Sequence, residues 1–456
     1  MLIMNMREAF PWEPRPARRI AVVGAGISGL ACAWMLSREH DVTVFEAGKQ
    51  AGGHTNTVDV TLDGVTHPVD TGFLVFNRRT YPNLIALFGL LGVEAVETEM
   101  SFSVSLAQPD LEWSGTSLRS LFAQPGNAAR PGFWRMLRDI LRFNREAPRF
   151  ALGGDGAAGL RLGEYLAANR YSREFRDWYL LPMAAAIWSC PTRAMLDYPL
   201  ETFVRFCDNH GLLQIADRPQ WMTVRGGGRE YVRRMCSQLD DLRLDTPVLG
   251  VFRDANAVWV HTPERVDRFD EVVFACHSDQ ALAILGGDAT AGEREILAAV
   301  RYQPNRAVLH TDASLLPRRQ GVWAAWNYAA APGGESAEPV PGAVSVSYLI
   351  NRLQPVPFDT PVVVTLNPVR EPDPARVLAS FDYAHPVFDA AAVAAQRALG
   401  GIQGVRRTWF AGAWTGYGFH EDGLKSALPI VEALGGRVPW RGSARGSESV
   451  VEACGA

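Results

Sequence analysis

The run Gly24-Ala25-Gly26-Ile27-Ser28-Gly29 constrains this chain more than any other feature, because its GxGxxG spacing falls between a short apolar strand, Arg19–Val23, and residues apolar at helical spacing from Ile27 to Ser37. Gly24 allows a tight turn, Gly26 lets the backbone approach a pyrophosphate, and Gly29 lets the helix pack on the strand. The helix N-terminus then faces phosphate charge. A second strand, Asp41-Val42-Thr43-Val44-Phe45, completes a βαβ unit, and Glu46 at its end is placed to accept hydrogen bonds from an adenosine ribose. Strand, turn, helix, strand and acid in register predict dinucleotide binding; the plainer reading is glycines serving only tight packing.

A chain of 456 residues is too long for one ordinary core, so two or three domains sharing a cleft are expected. After the βαβ unit, Thr57–Leu62 and Val65–Val69 alternate like antiparallel strands around Asp63-Gly64. From Tyr81 to about Gln220 the pattern predicts mostly helix, broken by a loop at Gly153-Gly154-Asp155-Gly156 and by Pro182 and Pro191. Strand patterns return at Leu242–Phe252, Val258–His261, Glu271–Ala275, Ala307–His310, Val344–Leu349 and Val362–Leu366. A last strand, Thr408–Ala411, leads through a glycine-rich turn to a helix from about Gly423 to Leu434. Residues 441–456 read as a flexible tail, and no internal repeat is present.

Composition removes several classes. With 47% hydrophobic and 21% charged residues the chain is neither disordered nor fibrous, and its net charge of −4 offers no global field for nucleic acid. Cysteines 32, 190, 207, 236, 276 and 454 form no CxxC pair, which predicts buried thiols, a reducing compartment and no structural metal. No apolar run has the length of a membrane span, and the N-terminal stretch lacks the layout of a secretory signal, so a cytoplasmic location is expected.

Gly52-Gly53, six residues after Glu46 and followed by His54-Thr55-Asn56-Thr57, extends the first motif. Glu46 to Gly53 resembles the ExxxxxGG continuation of FAD-binding flavoproteins that include flavin amine oxidases and phytoene desaturases. Val69-Asp70-Thr71-Gly72-Phe73 resembles the strand that returns to the flavin. Phe410-Ala411-Gly412 with Glu421-Asp422-Gly423-Leu424 resembles the closing motif, where a helix N-terminus points at the flavin pyrimidine. Arg225-Gly226-Gly227-Gly228 with Tyr231 matches the stretch before the middle part of the FAD domain, and Val248 the position whose backbone meets adenine. Asn77 to Asn83, Asp208-Asn209-His210-Gly211 and Gly412 to Ser426 resemble more closely a bacterial group of FAD-dependent oxidoreductases whose genes lie beside relatives of cyclopropane-fatty-acyl synthases. The resemblance therefore implies FAD, with Gly24, Ala25, Gly26, Ile27, Ser28, Gly29, Glu46, Ala47, Gly52, Gly53, His54, Thr55, Thr71, Gly72, Phe73, Val248, Gly412, Ala413, Asp422, Gly423 and Leu424 as cofactor-binding candidates. It also implies a lipid acyl substrate.

Departures from that pattern are informative. Ala413 stands where many relatives carry an acid for the ribityl chain. Arg301 to Pro317 lacks the lysine that flavin amine oxidases commonly hold near flavin N5, and the only lysines are Lys49 and Lys425. Tyr383-Ala384-His385-Pro386 has no cysteine for covalent attachment, so the resemblance implies non-covalent FAD. His54, His385, His420, Glu421, Asp422 and Lys425 are the polar candidates for proton transfer, His420 foremost. Trp414 and Tyr417 resemble aromatics that flank the flavin. Trp178, Trp188, Trp221, Trp323, Trp326 and Tyr348 together favour a large apolar cavity.

Phe133 to Arg149 carries arginines at 135, 138, 142, 145 and 149 on one helical face, with Phe133, Met136, Leu137, Ile140, Leu141 and Phe143 on the other. Arg130 to Arg149 holds six arginines against Asp139 and Glu146, a net +4 that suits anionic lipid head groups as well as plain solvent. The expected fold is α/β, a Rossmann-like FAD-binding domain of the glutathione-reductase type (18–80, 221–285, 401–440) interleaved with a mixed α+β substrate domain (81–220, 286–400). The expected function is FAD-dependent dehydrogenation (desaturation) or double-bond isomerisation of an apolar acyl chain, peripheral at the inner membrane surface. A flavin amine oxidase and a non-catalytic flavin-binding protein are the alternatives.

Overall fold

The computed structural model describes residues 16–152, 159–188, 192–214, 218–330 and 345–441. The expected glycine loop at 153–156, Pro191, Cys190, Cys454, most of the N-terminal stretch and the tail beyond residue 441 lie outside them.

Arg19–Val23 and Asp41–Phe45 pair in parallel, and the helix between them, Ile27–Leu36, buries all ten residues. A helix apolar on every side must be covered on every side. One cover is the sheet, five parallel strands in the order Asp241–Arg243, Asp41–Phe45, Arg19–Val23, Glu271–Phe274, Thr408–Phe410. Others are the helices Pro82–Leu91, Arg229–Cys236 and His420–Leu434, whose apolar residues join the same core cluster. The hairpin Thr57–Leu62/Val65–Asp70 turns at Asp63 and Gly64, both at positive φ, +52° and +78°.

The second large sheet has seven strands in the order Val377–Val387, Arg301–His310, Val363–Leu366, Ser345–Leu349, Trp326–Ala330, Phe102–Leu106, Leu111–Ser114. All neighbours are antiparallel except Trp326–Ala330 with Phe102–Leu106. This corrects the expectation of mostly helix after Tyr81: Ala95–Thr98, Phe102–Leu106 and Leu111–Ser114 are strands. Each is only four or five residues long; Phe102–Leu106 and Leu111–Ser114 pair with each other, while Ala95–Thr98 and Phe102–Leu106 also need the distant strands Trp221–Val224 and Trp326–Ala330. Trp326–Ala330 and Val377–Val387 are likewise strands that the sequence pattern leaves unassigned.

Helix Pro131–Leu152 corrects the arginine face in detail. Phe133, Met136 and Phe143 are buried as expected, whereas Leu141 is 57% exposed beside Arg138 and Arg145. Arg142 instead leans inward, over the Tyr171 ring and onto Glu146 at 2.9 Å. Trp134 is 53% exposed on the outward face. No described helix is long and apolar enough to cross a membrane.

Candidate active site

A cavity of about 690 Å³ opens at the carboxyl ends of the parallel strands and runs to the seven-stranded sheet. Its dinucleotide end is lined by Gly24, Gly26, Ile27, Ser28, Glu46, Ala47, Gly52, Gly53, His54 and Val248, then by Thr71, Gly72, Phe73, Gly412 and Ala413. His420, Trp414 and Tyr417 also line it. Ala25, Gly29, Thr55, Asp422, Gly423 and Leu424 do not, and each has a supporting role instead.

Gly29 packs the helix against the turn: a Cβ there would lie 1.9 Å from the Gly24 carbonyl oxygen. Ala25 N–H donates to Glu46 Oε2 at 2.8 Å, and Gly48 N–H donates to Oε1 at 2.8 Å, so the acid stiffens its own turn as well as facing the cavity. Asp422 accepts from Phe419 N–H at 3.0 Å, and burial raises its carboxyl to about 6. Gly423 sits against Ile27 and Ser28, and Leu424 is core. Glu421 points away, accepting from Asn83 N–H, Asn83 Nδ2 and Leu84 N–H at 3.0, 2.6 and 3.0 Å, which caps helix Pro82–Leu91. Lys425 is exposed.

The residues present fit FAD. Helix Ile27–Leu36 starts at Gly26 with no side-chain cap and no acid in its first turn, leaving amides for an anion. A Cβ on Gly26 would meet nothing within 4 Å, so the backbone there borders open space. His54 Nε2 is buried on the cavity wall without a partner.

Thr55 reaches the site through its neighbours. His420 Nε2 lies 2.7 Å from Tyr231 Oη and 3.0 Å from Thr55 Oγ1, those two oxygens are 2.5 Å apart, and the His420 ring stacks on Phe73 at 3.8 Å. Burial, then the neighbouring His54, drives His420 down to about 3. His54, His277 and His385 also gather on the cavity wall, with ring centroids 6.2 Å apart for His54–His277 and 5.2 Å for His54–His385. Burial lowers His54 to about 4 and His385 to about 3, so both are neutral at physiological pH. His277 stacks on Tyr302 at 4.3 Å. His277 and Tyr302 are not among the residues the sequence motifs single out; the signal for His277 is its place just past the carboxyl end of strand Glu271–Phe274.

The far end is apolar and aromatic. Trp188, Trp221, Trp326 and Tyr348 line it with Met100, Ile187, Phe206 and Leu212, whereas Trp178 and Trp323 pack elsewhere. Among the described lining residues Glu46, at the dinucleotide end, is the only aspartate, glutamate, lysine or arginine.

These buried histidines set an acid limit. In the FAD-free protein His54, His210, His310, His385 and His420 all fall to between about 3 and about 4, so below pH 6.5 the unfolded chain binds protons that the folded one refuses. Asp70 and Asp422, raised to about 6, act oppositely because the folded state holds their protons. The lowered histidines outnumber the raised acids, so near pH 5 the unfolded chain binds more protons than the folded one and stability falls as the pH drops from 7 to 5. Denaturant unfolding at pH 7 and pH 5 is expected to show this loss; equal stability at both would contradict it.

Residues 27–304 match the profile described as flavin containing amine oxidoreductase. No curated protein matches the chain. Solved structures of similar fold include a fatty acid isomerase from P. acnes that produces CLA, with TM-score 0.63, 15% identity and coverage of 91% of this chain and 98% of that one. They include cyclohexylamine oxidase from Brevibacterium oxydans IH-35A, with TM-score 0.65, 18% identity, 92% and 100%. A third is a putative protoporphyrinogen oxidase from Exiguobacterium sp. 255-15, with TM-score 0.63, 16% identity, 91% and 98%.

Proposed function

The chain belongs to the flavin containing amine oxidoreductase family and is an FAD-dependent oxidoreductase; on that premise we propose that its substrate is an apolar acyl chain, free or in a phospholipid, which it desaturates or whose double bond it shifts. The observation that carries this reading is the apolar, uncharged far half of the cavity. A methylene chain gains from such a wall, about 0.8 kcal/mol per buried CH₂, while an ammonium finds no counter-charge there. The neighbours span fatty acid, amine and porphyrinogen chemistry, so they support the fold and leave substrate choice to this wall.

We assign the FAD-binding part to residues 18–80, 221–285 and 401–440 and the substrate part to 81–220 and 286–400. Bound FAD, held without a covalent link, supplies the hydride acceptor. The chain's own residues do the rest. Gly24 to Gly29, Glu46, Gly52, Gly53 and the segment Thr71 to Phe73 hold the cofactor, with Val248, Gly412 and Ala413. Trp414 and Tyr417 wall the reacting end, and Trp188, Trp221, Trp326 and Tyr348 exclude water along the chain. His420 is neutral, and in the tautomer whose Nε2 donates to Tyr231 its Nδ1 lone pair would be the proton acceptor for desaturation. An anaerobic titration tests the reading: flavin absorbance is expected to bleach, or double-bond position to change, with unsaturated phospholipid and not with amines. Bleaching by amines alone would replace this reading with amine oxidation.

Such a substrate lies in a membrane, and helix Pro131–Leu152 is the proposed contact. Trp134, Arg138, Leu141, Arg145 and Arg149 form its outward face, and Leu118, 77% exposed, lies on the short helix that ends beside Phe122, whose ring meets Trp134 at 5.7 Å. Apolar anchors interleaved with arginine suit an anionic lipid surface. Cosedimentation with phosphatidylglycerol vesicles is expected to fall at least about tenfold in a variant combining Arg138→Glu with Trp134→Ser, each arginine being worth about 1 kcal/mol. Equal binding by parent and variant would remove the contact.

A further inference from the structure

One chain of hydrogen bonds determines which nitrogen of His385 carries its proton. It starts from a group whose hydrogen is not negotiable, the Arg306 backbone N–H, which donates to Asn367 Oδ1 at 2.9 Å. Asn367 Nδ2 is thereby the donor to Asn305 Oδ1, at 2.7 Å. Asn305, 2% exposed, then spends both hydrogens of its Nδ2, one on the Gln303 carbonyl at 2.9 Å and one on His385 Nδ1 at 2.8 Å. Rotating either amide by half a turn would set oxygen against oxygen or donor against donor at several of these contacts. His385 Nδ1 is therefore a lone pair. The ring is neutral, since burial and the adjacent His54 and His277 disfavour its cation, so the proton sits on Nε2.

The three elements that build this chain are neighbouring strands of the seven-stranded sheet. Asn305 and His385 lie on the paired strands Arg301–His310 and Val377–Val387, where Asn305 faces Tyr383 and Gln303 faces His385. Asn367 directly follows Val363–Leu366 on the other side, and its backbone φ of +43° turns it back toward Arg306. His385 lines the cavity beside His54.

We propose that Asn305, fixed by Asn367, is a positioning residue that locks His385 as its Nε2–H tautomer, and that His385 donates this hydrogen bond to an acceptor atom of bound FAD. The methylenes of an acyl chain offer no acceptor to a donor on this wall, whereas the cofactor is rich in carbonyl, ring-nitrogen, hydroxyl and phosphate acceptors. His385 is accordingly a donor and not a base, which leaves proton acceptance to other groups. The inference needs FAD but not the acyl substrate, so it can fail while the substrate reading stands, and the reverse.

Full-length protein carrying ¹⁵N-labelled histidine, its His385 signals assigned by their loss in His385→Gln, is expected to show a bare Nδ1 and a protonated Nε2 at neutral pH. Adding FAD is expected to move the Nε2 signal more than the Nδ1 signal. Asn305→Asp, whose carboxylate can only accept, is expected to draw the proton to Nδ1 and to weaken FAD binding about tenfold, the cost of one hydrogen bond to a group now presenting the wrong face. Where that variant does not fold, two others decide: His385→Gln keeps an N–H donor and is expected to bind FAD within about threefold of the parent, and His385→Leu about tenfold more weakly. A proton on Nδ1 in the parent protein, or equal FAD affinity for His385→Gln and His385→Leu, would overturn the proposal.

Discussion

Gly29→Ala is expected to yield protein that neither holds FAD nor keeps its parent stability, while Gly26→Ala, three residues earlier in the same motif, is expected to fold normally and lose only cofactor affinity. The two glycines face different things. A methyl at Gly29 would sit 1.9 Å from the Gly24 carbonyl oxygen and 3.1 Å from Ala275 Cβ, with the turn on one side and the end of strand Glu271–Phe274 on the other. Neither neighbour is a flexible side-chain tip, so the helix must move off the sheet. The ten residues it buries then lose their packing, which places the cost above the roughly 1–3 kcal/mol of ordinary overpacking. A methyl at Gly26 meets no protein atom within 4 Å, so whatever it costs is read only when the pyrophosphate approaches. Flavin absorbance retained per protein after desalting, alongside thermal unfolding, separates the two effects. Gly26→Ala protein that binds FAD as tightly as the parent would show that the open space beside Gly26 is not the pyrophosphate's.

That contrast also explains how much of the molecule could be read in advance. The βαβ unit was legible because everything that shapes it is local: a strand, a turn of glycines, a helix buried all round and a second strand fall within Arg19–Phe45. The hairpin at Asp63-Gly64 was legible for the same reason. The closing helix began three residues earlier than expected, at His420, because Asp422 reaches back to the Phe419 N–H and draws the first turn in. Phe102–Leu106 alternates polar and apolar as a strand should, but it is joined to Trp326–Ala330 across more than two hundred residues, and nothing nearby announces that partner.

The site divides along the same line. The dinucleotide end follows from short motifs, so most of its residues line the cavity as expected. Tyr231, Thr55 and His420 meet only after three separate segments have folded, and Asn305 gains meaning only from the register that sets Gln303 against His385. Glu421 shows the converse. Its position at a helix N-terminus suggested chemistry, yet both its oxygens accept from the start of helix Pro82–Leu91, so it ties two helices together.

A carboxylate placed at the apolar end should reveal which substrate the cavity was shaped for. Met100 lines that end, half-buried against the core of the seven-stranded sheet, and no cation stands among the described lining residues. Met100→Glu therefore puts a charge where an acyl chain must pass without a partner. Desolvating that charge beneath methylenes costs about 3 kcal/mol or more, and at pH 8 a fall of at least about a hundredfold in kcat/KM for an acyl substrate is expected, with flavin absorbance unchanged. Met100→Leu conserves apolar volume and is expected to stay within about threefold. For an amine the sign reverses, because the new carboxylate supplies the counter-charge that the parent wall lacks, and affinity for the ammonium form should rise. The same variant thus drives the two readings in opposite directions: amine turnover by the parent that rises in Met100→Glu, with no acyl turnover by either protein, would assign the cavity to amines.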